Sequence, residues 1–449
     1  MQEVLFEYQM HPTTWIYLSS LLTIGIYFKF HRLLSVRNLD LLALIFSAPG
    51  LLLVARGMET VGYVWLFTVG ALLLVRLLLD PVMVRRPLLE PNLNASGLTF
   101  TGTAMIVFMM ANVGAAQMTE TDQEGAKRWD QILTRQAAAG EQDDLRRYGP
   151  GYPLFYAFAD LPSRLLMPTD DTQSEPFQHD LFLTVSTRAT AILGHLAVVI
   201  GMVLIGYRHF DNIQTGVAAA TLYLILPYTT QMAGRVDHVI PGALLVWAVE
   251  AYRRPMVAGM LIGLAGGVIY YPLFLLPLWC SFYWQRGLVR FLIGAAAMLI
   301  LVVLSLALWP GTSFSEQLKQ LLGWSTWSAA GADGFWSHHG LAFYYRIPVI
   351  AGFLALCFGL IPWPPQKNLG TLLSCSAAVM LATQFWKAHQ GGLYMAWYLP
   401  LLILTVFRPN LEDRVALTAV DERWGLAMPQ KWFARWRQKS ANRTRATAA

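Results

Sequence analysis

The sequence predicts an all-α, polytopic membrane protein with about thirteen transmembrane helices, within a range of about eleven to fifteen, and two large extracytoplasmic loops. Three observations lead there. Of 449 residues, 55% are hydrophobic and 13% charged, so surface suited to water is scarce. Apolar runs of roughly bilayer length, about 17 to 25 residues, recur along the chain. Lys and Arg then collect in alternate connections, the asymmetry that marks the cytoplasmic ends of spans.

The first three runs, near residues 14–30, 40–56 and 62–79, make an N-terminal membrane segment over 1–97. Lys29 stands at the end of the first run with Arg32 and Arg37 after it, and Arg85 with Arg86 follows the third. Arg76 stands four residues before Asp80 near a span end, where it can pair or snorkel. A run without any charge, 98–116, opens the core segment 98–407, which continues with runs near 182–206 and 213–232. Three shorter runs, near 238–252, 256–270 and 271–285, read as broken or partial spans, which need protein or a cavity around their free backbone groups. Runs near 288–309, 344–362 and 369–386 and a short one near 393–407 complete the set.

Alternation puts Arg208, Arg253, Arg254, Arg286, Arg290 and Lys367 on the same side as the earlier basic connections and the tail 408–449. The expectation is a multi-pass plasma-membrane protein with its N-terminus outside and its C-terminus in the cytoplasm. From Arg408 the tail holds nine Lys/Arg against four Asp/Glu, and its "QKWFARWRQK" reads as a basic amphipathic helix resting on anionic lipid. Such a charge pattern is a membrane-surface signature, so no nucleic-acid partner is expected. Cys280, Cys357 and Cys375 all lie in apolar runs, which argues against a disulfide framework or a thiolate metal site. The acidic start "MQEVLFEYQM", with no small-residue cleavage site after the first run, predicts no removable signal peptide.

Chemistry concentrates in the two outer loops, 117–181 and 310–343. The first opens with "QMTETDQEGAKRWD", carrying Glu120, Asp122, Glu124 and Asp130. Its plain reading is a solvated helix start with a Glu124–Arg128 pair at i,i+4; its sharper reading is an acid motif for proton transfer. "YGPGYPLFYAFADLPSRLL", residues 148–166 and including Tyr152, reads as a turn and an amphipathic helix in the outer interface, with Tyr and Phe at headgroup level. The second loop carries Trp324, Trp327 and Trp336 among Asp333, His338 and His339. The tryptophans are anchors first and sugar-stacking platforms second, and adjacent histidines lack a metal-ligand spacing. Arg188 lies a few residues inside its span, where an unpartnered cation costs about 2.5 to 3.5 kcal/mol. His195, two turns deeper, reads as a hydrogen-bonded packing residue. "GRVDHV" puts Arg235, Asp237 and His238 in a tight outer turn, suited to local pairing or to a meeting of the two loops.

The order of these features resembles the membrane glycosyltransferases of the GT-C superfamily. A span ending outside is followed by the acid-x-acid motif Glu120-Thr121-Asp122, then "YGPGYPLFY", then a span opening with the arginine of "STRATAIL". Two later stretches, "RRPMVAGMLIGLAGGVIYYPLFLLPLW" and "FWKAHQGGLYMAWYLPLLIL", look like conserved stretches of that superfamily. The similarity covers roughly residues 98–407 and looks closest to glycosyltransferase family 87, the polyprenyl-phosphate-mannose-type transferases.

That resemblance implies a GT-C-like fold that moves a mannose-like hexose from a polyprenyl-phosphate donor to a hydroxyl of a glycan or glycolipid acceptor. Asp122 would be the general base, with Glu120 as the alternative, while Asp143, Asp144, Asp170 and Asp171 stay open. Arg188 would bind the lipid phosphate, and His389 with Lys387 would reach the phosphate or the sugar. Arg235, Asp237, His238, Tyr152 and His338 are the further candidates for substrate contact. A polyprenyl-monophosphate leaving group gives little need for a metal, so no cofactor is expected; Mg²⁺ or Mn²⁺ on the acid pair is the alternative. The chain departs from the family pattern at Ile269, Tyr270 and Tyr271, where a Lys commonly precedes the Tyr, and in carrying residues 1–97 at all. A multi-span transporter, favoured by the short Gly- and Pro-interrupted runs, and a non-catalytic binder of lipid-linked sugar are the rival readings.

Overall fold

The computed structural model describes residues 11–83, 90–116, 118, 120–135, 149–160, 175–308, 313–315, 318, 334–338 and 343–420. Every one of the thirteen apolar runs forms helix. In chain order the helices are α1 (Pro12–Tyr27), α2 (Val36–Ala55), α3 (Glu59–Leu79), α4 (Ala95–Ala115), α5 (Glu120–Thr134), α6 (Glu175–Arg208) and α7 (Ile213–Ile225). They continue as α8 (Val236–Glu250), α9 (Pro255–Val268), α10 (Leu276–Tyr283), α11 (Leu288–Leu304), α12 (Arg346–Gly359), α13 (Leu369–Trp386) and α14 (Leu399–Phe407). Among the described residues there is no strand.

Among the described residues six helices are long and apolar enough to cross a bilayer, drawn from α2, α3, α4, α6, α11 and α13. Four shorter apolar ones correspond to α7, α9, α12 and the segment Tyr271–Tyr283 that contains α10. Exposed Phe100, Val107 and Phe108 on α4, and Val289, Leu292, Ile293 and Ile300 on α11, make apolar outer faces that suit lipid rather than water.

Polar caps stop the apolar runs cleanly. The Asn94 side chain accepts from the Gly97 amide at 2.8 Å, and Asn212 accepts from Thr215 at 3.1 Å. Asn368 and Thr371 bond reciprocally, each at 2.9 Å, at the start of α13. Helix α13 is the centre of the bundle: only Phe385 in it is not fully buried, and all of α14 beside it is buried. Helices α9 and α11 approach backbone to backbone, because Gly259 and Gly263 face Phe291 and Ala295 while Gly294 faces Met256.

Helices α1 to α3 pack into this core. Tyr27 donates to the Ala218 carbonyl at 2.9 Å, Ser19 to that of Ile225 at 2.6 Å, and α3 lies along α13. Arg76 does pair: it meets Asp40 at 2.9 Å and Asp80 at 3.0 Å, and Arg408 meets Asp80 at 2.5 Å. Arg76→Met takes one counter-charge from two buried carboxylates, leaving Asp80 to Arg408, and should destabilise the fold by about 3 kcal/mol. The check is the thermal midpoint in detergent; an unmoved midpoint would show that Arg76 is not what neutralises them.

Basic connections gather at one end of the bundle. Arg408 reaches Asp80, Arg414 reaches Asp211 at 2.7 Å, Arg208 pairs with Glu250, and Arg286 donates to the Leu417 carbonyl at 2.6 Å. Helix α6 runs away from that end for 34 residues, roughly 50 Å, and packs against α5.

Candidate functional site

Helix α5, straight after α4, carries the acid motif on a strongly amphipathic segment. Glu124 and Arg128 form the expected i,i+4 pair at 2.5 Å, so the plain reading of those two residues holds. Asp122 does something more. Its carboxylate forms an ion pair at 3.2 Å with Arg235, which precedes the first turn of α8. Arg235 in turn grips Asp237 with two bonds of 3.1 Å, through Nε and Nη2. One guanidinium thus joins α5 to the "GRVDHV" turn, combining local pairing with a long-range contact.

A wall of aromatic side chains continues from Asp237. Trp397 donates its indole N–H to the Asp237 carbonyl at 3.1 Å, and His238 Nδ1 shares a 2.7 Å hydrogen bond with the Tyr228 hydroxyl. The His238 ring lies 4.4 Å from that of Tyr394, which lies 4.5 Å from Trp397. Over this wall sits Lys387, just past the end of α13, with Nζ 3.1 Å from the Tyr394 centroid and 5.0 Å from Trp397. It is 6% exposed, and aromatic faces offset part of the cost of burying its charge. Gln384 holds the turn beneath by accepting from the amides of Gly392 at 3.0 Å and Tyr394 at 3.3 Å.

Arg346 was not singled out in the sequence, yet it is 1% exposed at the start of α12. Its Nε donates to the Trp386 carbonyl at 2.5 Å, its guanidinium lies 5.6 Å from the Trp386 ring, and Tyr270 and Tyr271 are within electrostatic range. A second cation, after Lys387, therefore stands beside the tyrosine pair. The signal that could have found it is the one that marked Arg188: an arginine opening a span directly after an outer loop.

Other expected site residues fare differently. Arg188 donates Nη2 to the Ala116 carbonyl at 2.7 Å, capping α4 from α6; its Nε has no partner among the described residues. One turn away, Thr184 receives a 2.8 Å bond from Gln123, the neighbour of Asp122, so Arg188 borders the cluster with one arm engaged in structure. His389 lies partly exposed in the turn after Lys387. The side chains of Glu120 and His338 fall outside the described residues, as do Asp143, Asp144, Asp170, Asp171, Trp324, Trp327, Asp333, His339 and the "QKWFARWRQK" tail. Two residues before His338, Trp336 donates to the Phe385 carbonyl at 3.1 Å. His195 has both ring nitrogens bonded, to Tyr223 at 2.9 Å and the Ala233 carbonyl at 3.1 Å, as a packing residue should.

The "YGPGYPLFY" segment corrects an expectation. Its tyrosines were expected at headgroup level, but Tyr152 and Tyr156 are buried, joined hydroxyl to hydroxyl at 3.0 Å, and fitted against Gly125 of α5. Gly149 and Gly151 bond to the Val268 and Gly267 carbonyls at 2.8 and 3.0 Å, stitching the segment to the end of α9. Burial, with Asp237, Asp122 and Glu124 adding to it, raises the Tyr156 pKa far above its ordinary value, so the phenol stays neutral and cannot serve as a base. Any side chain at position 125 would strike both rings. Gly125→Val should therefore cost about 1 to 3 kcal/mol of stability, read as a lowered thermal midpoint, and should displace Asp122 with its helix. An unshifted midpoint would mean that the tyrosines can swing aside freely.

Chemically, the cluster holds a proton acceptor, Asp122, in an ion pair with Arg235, and two further cations, Lys387 and Arg346, buried among the aromatic rings. Among the described residues no group of three or more His, Cys, Asp or Glu is placed to hold a metal ion. The guanidinium of Arg235 already stands between Asp122 and Asp237, where a divalent cation shared by the two would sit.

Fold and cluster together define a helical, membrane-type protein with a charged, aromatic-walled site at one end of its bundle. Compared with protein-family models and with curated proteins, the sequence matches none of either.

Proposed function

We propose that this protein is an integral-membrane glycosyltransferase of GT-C type, which moves a mannose-like hexose from a polyprenyl-phosphate donor to the hydroxyl of a glycan or glycolipid acceptor. The observation that carries this reading is the ion pair between Asp122 and Arg235, with Lys387 on the aromatic wall that continues from Asp237. In the reaction the acceptor O–H gives its proton to Asp122 while its oxygen attacks C1 of the hexose. The C1–O bond to the phosphate breaks, and its electron pair leaves on the phosphate. Arg235, Lys387 and Arg346 supply the positive charge that stabilises this leaving group. In the same reading about thirteen spans cross a plasma membrane, with the N-terminus outside, the C-terminus in the cytoplasm and the site facing outward.

The test is transfer by purified protein in detergent, supplied with radiolabelled hexosyl polyprenyl phosphate and a panel of glycolipid acceptors, with and without EDTA. Labelled acceptor, formed equally in EDTA, is the expected result. Flux of sugar across proteoliposomes with no label on any acceptor would instead favour a transporter, and donor binding without turnover a non-catalytic binder.

A further inference from the structure

At the opposite end of α6 from Arg188 lies a cavity of about 690 Å³, roomy for a headgroup-sized ligand. Its walls are the last residues of α6, the turn into α7, and the α8–α9 connection. Four basic side chains line it: Arg208, His209, Arg253 and Arg254. The acids that also line it are engaged, Glu250 by Arg208 and Asp211 by Arg414. Arg253 lies over the Tyr252 ring at 5.8 Å, and neither it nor Arg254 has a carboxylate partner among the described residues. Both are exposed. Two guanidiniums with donors to spare make a site for phosphate oxygens, which they match in geometry as well as charge.

His209 is the independent sign of a ligand. It is 3% exposed, lines the cavity, and bonds the Glu250 carbonyl through Nε2 at 2.7 Å. A carbonyl only accepts, so Nε2 carries the proton; burial also lowers the imidazole pKa and keeps the ring neutral. Nδ1 is then a buried lone pair, and no group in the described protein donates to it. An unmet acceptor of this kind carries a desolvation penalty, which a ligand hydroxyl would recover. Beside the cations, Tyr207 is 61% exposed and Ile213 52% exposed, an apolar flank suited to the glycerol and upper chain of a lipid.

We propose that this cavity binds a hydroxyl-bearing phosphate, with Arg253 and Arg254 on the phosphate oxygens and His209 Nδ1 accepting from the hydroxyl. A phosphatidylglycerol headgroup and free glycerol 3-phosphate share that chemistry, and the site does not depend on the transferase reading.

The experiment uses the full chain in phosphatidylcholine nanodiscs, titrated with short-chain phosphatidylglycerol or with glycerol 3-phosphate and followed by native mass spectrometry. Phosphatidylglycerol should bind at least about tenfold more tightly to the wild type than to the R253Q/R254Q double variant. Phosphatidylmethanol, which keeps the phosphodiester but lacks the hydroxyls, should bind at least about threefold more weakly than phosphatidylglycerol. Binding of phosphatidylglycerol alone identifies a lipid headgroup as the ligand; binding of both probes shows that a soluble phosphate suffices. Failure of both probes to bind, equal affinity in the double variant, or equal binding of phosphatidylmethanol would overturn the assignment. The substituted arginines are exposed, so the double variant should keep the wild-type thermal midpoint and the comparison stays interpretable.

Discussion

Asp122→Asn should reduce sugar transfer at least about a hundredfold, since a general base contributes typically 10² to 10⁴ in rate. The amide fills the same volume and keeps a group beside Arg235, but it cannot take the acceptor's proton. Folding should survive, because Arg235 retains its two bonds of 3.1 Å to Asp237 and Gly125 retains its fit under Tyr152 and Tyr156. Initial rates with purified protein, set beside an unchanged thermal midpoint, test both halves. Wild-type transfer by Asp122→Asn would remove Asp122 from the chemistry and reopen the other loop acids.

Arg235→Ala should have the second large effect, and on two readouts at once. Asp237 has a side chain only 4% exposed, and breaking a buried pair by removing one partner costs about 3 to 5 kcal/mol. The thermal midpoint should fall, and transfer should fall at least about a hundredfold as a cation aimed at the leaving phosphate is lost. A double variant separates the two. In Arg235→Gln with Asp237→Asn no uncompensated carboxylate remains at position 237, so most of the lost stability should return while transfer stays low. Recovery of transfer together with stability would reduce Arg235 to a structural tie.

The helices were legible because apolar run length is a local property: the run 369–386 is α13 residue for residue, and Asn caps sit where other runs begin. Short runs were legible as helix, yet their depth in a bilayer depends on neighbours that no single run records. Pairings close in sequence could be read from spacing, as with Glu124–Arg128, Arg76–Asp80 and Arg235–Asp237. The meeting of Asp122 with Arg235 could only be suspected, since nothing in either segment specifies the other. Tyr152 shows the same limit. A tyrosine beside Pro and Gly looks interfacial until Gly125, on another helix, opens a slot that buries it. Arg346 stands near the start of an apolar run just as Arg188 does, and Arg188, expected to bind a phosphate, spends one arm on the Ala116 carbonyl.

The most direct measurement is a structure of the full chain bound to a non-hydrolysable polyprenyl-phosphate sugar analogue. The account predicts the sugar's C1 within about 4 Å of a water or acceptor oxygen held by Asp122, and the phosphate in contact with Arg235, Lys387 or Arg346. An analogue bound with its phosphate away from all three cations, or its sugar on the far side of the bundle, would contradict it.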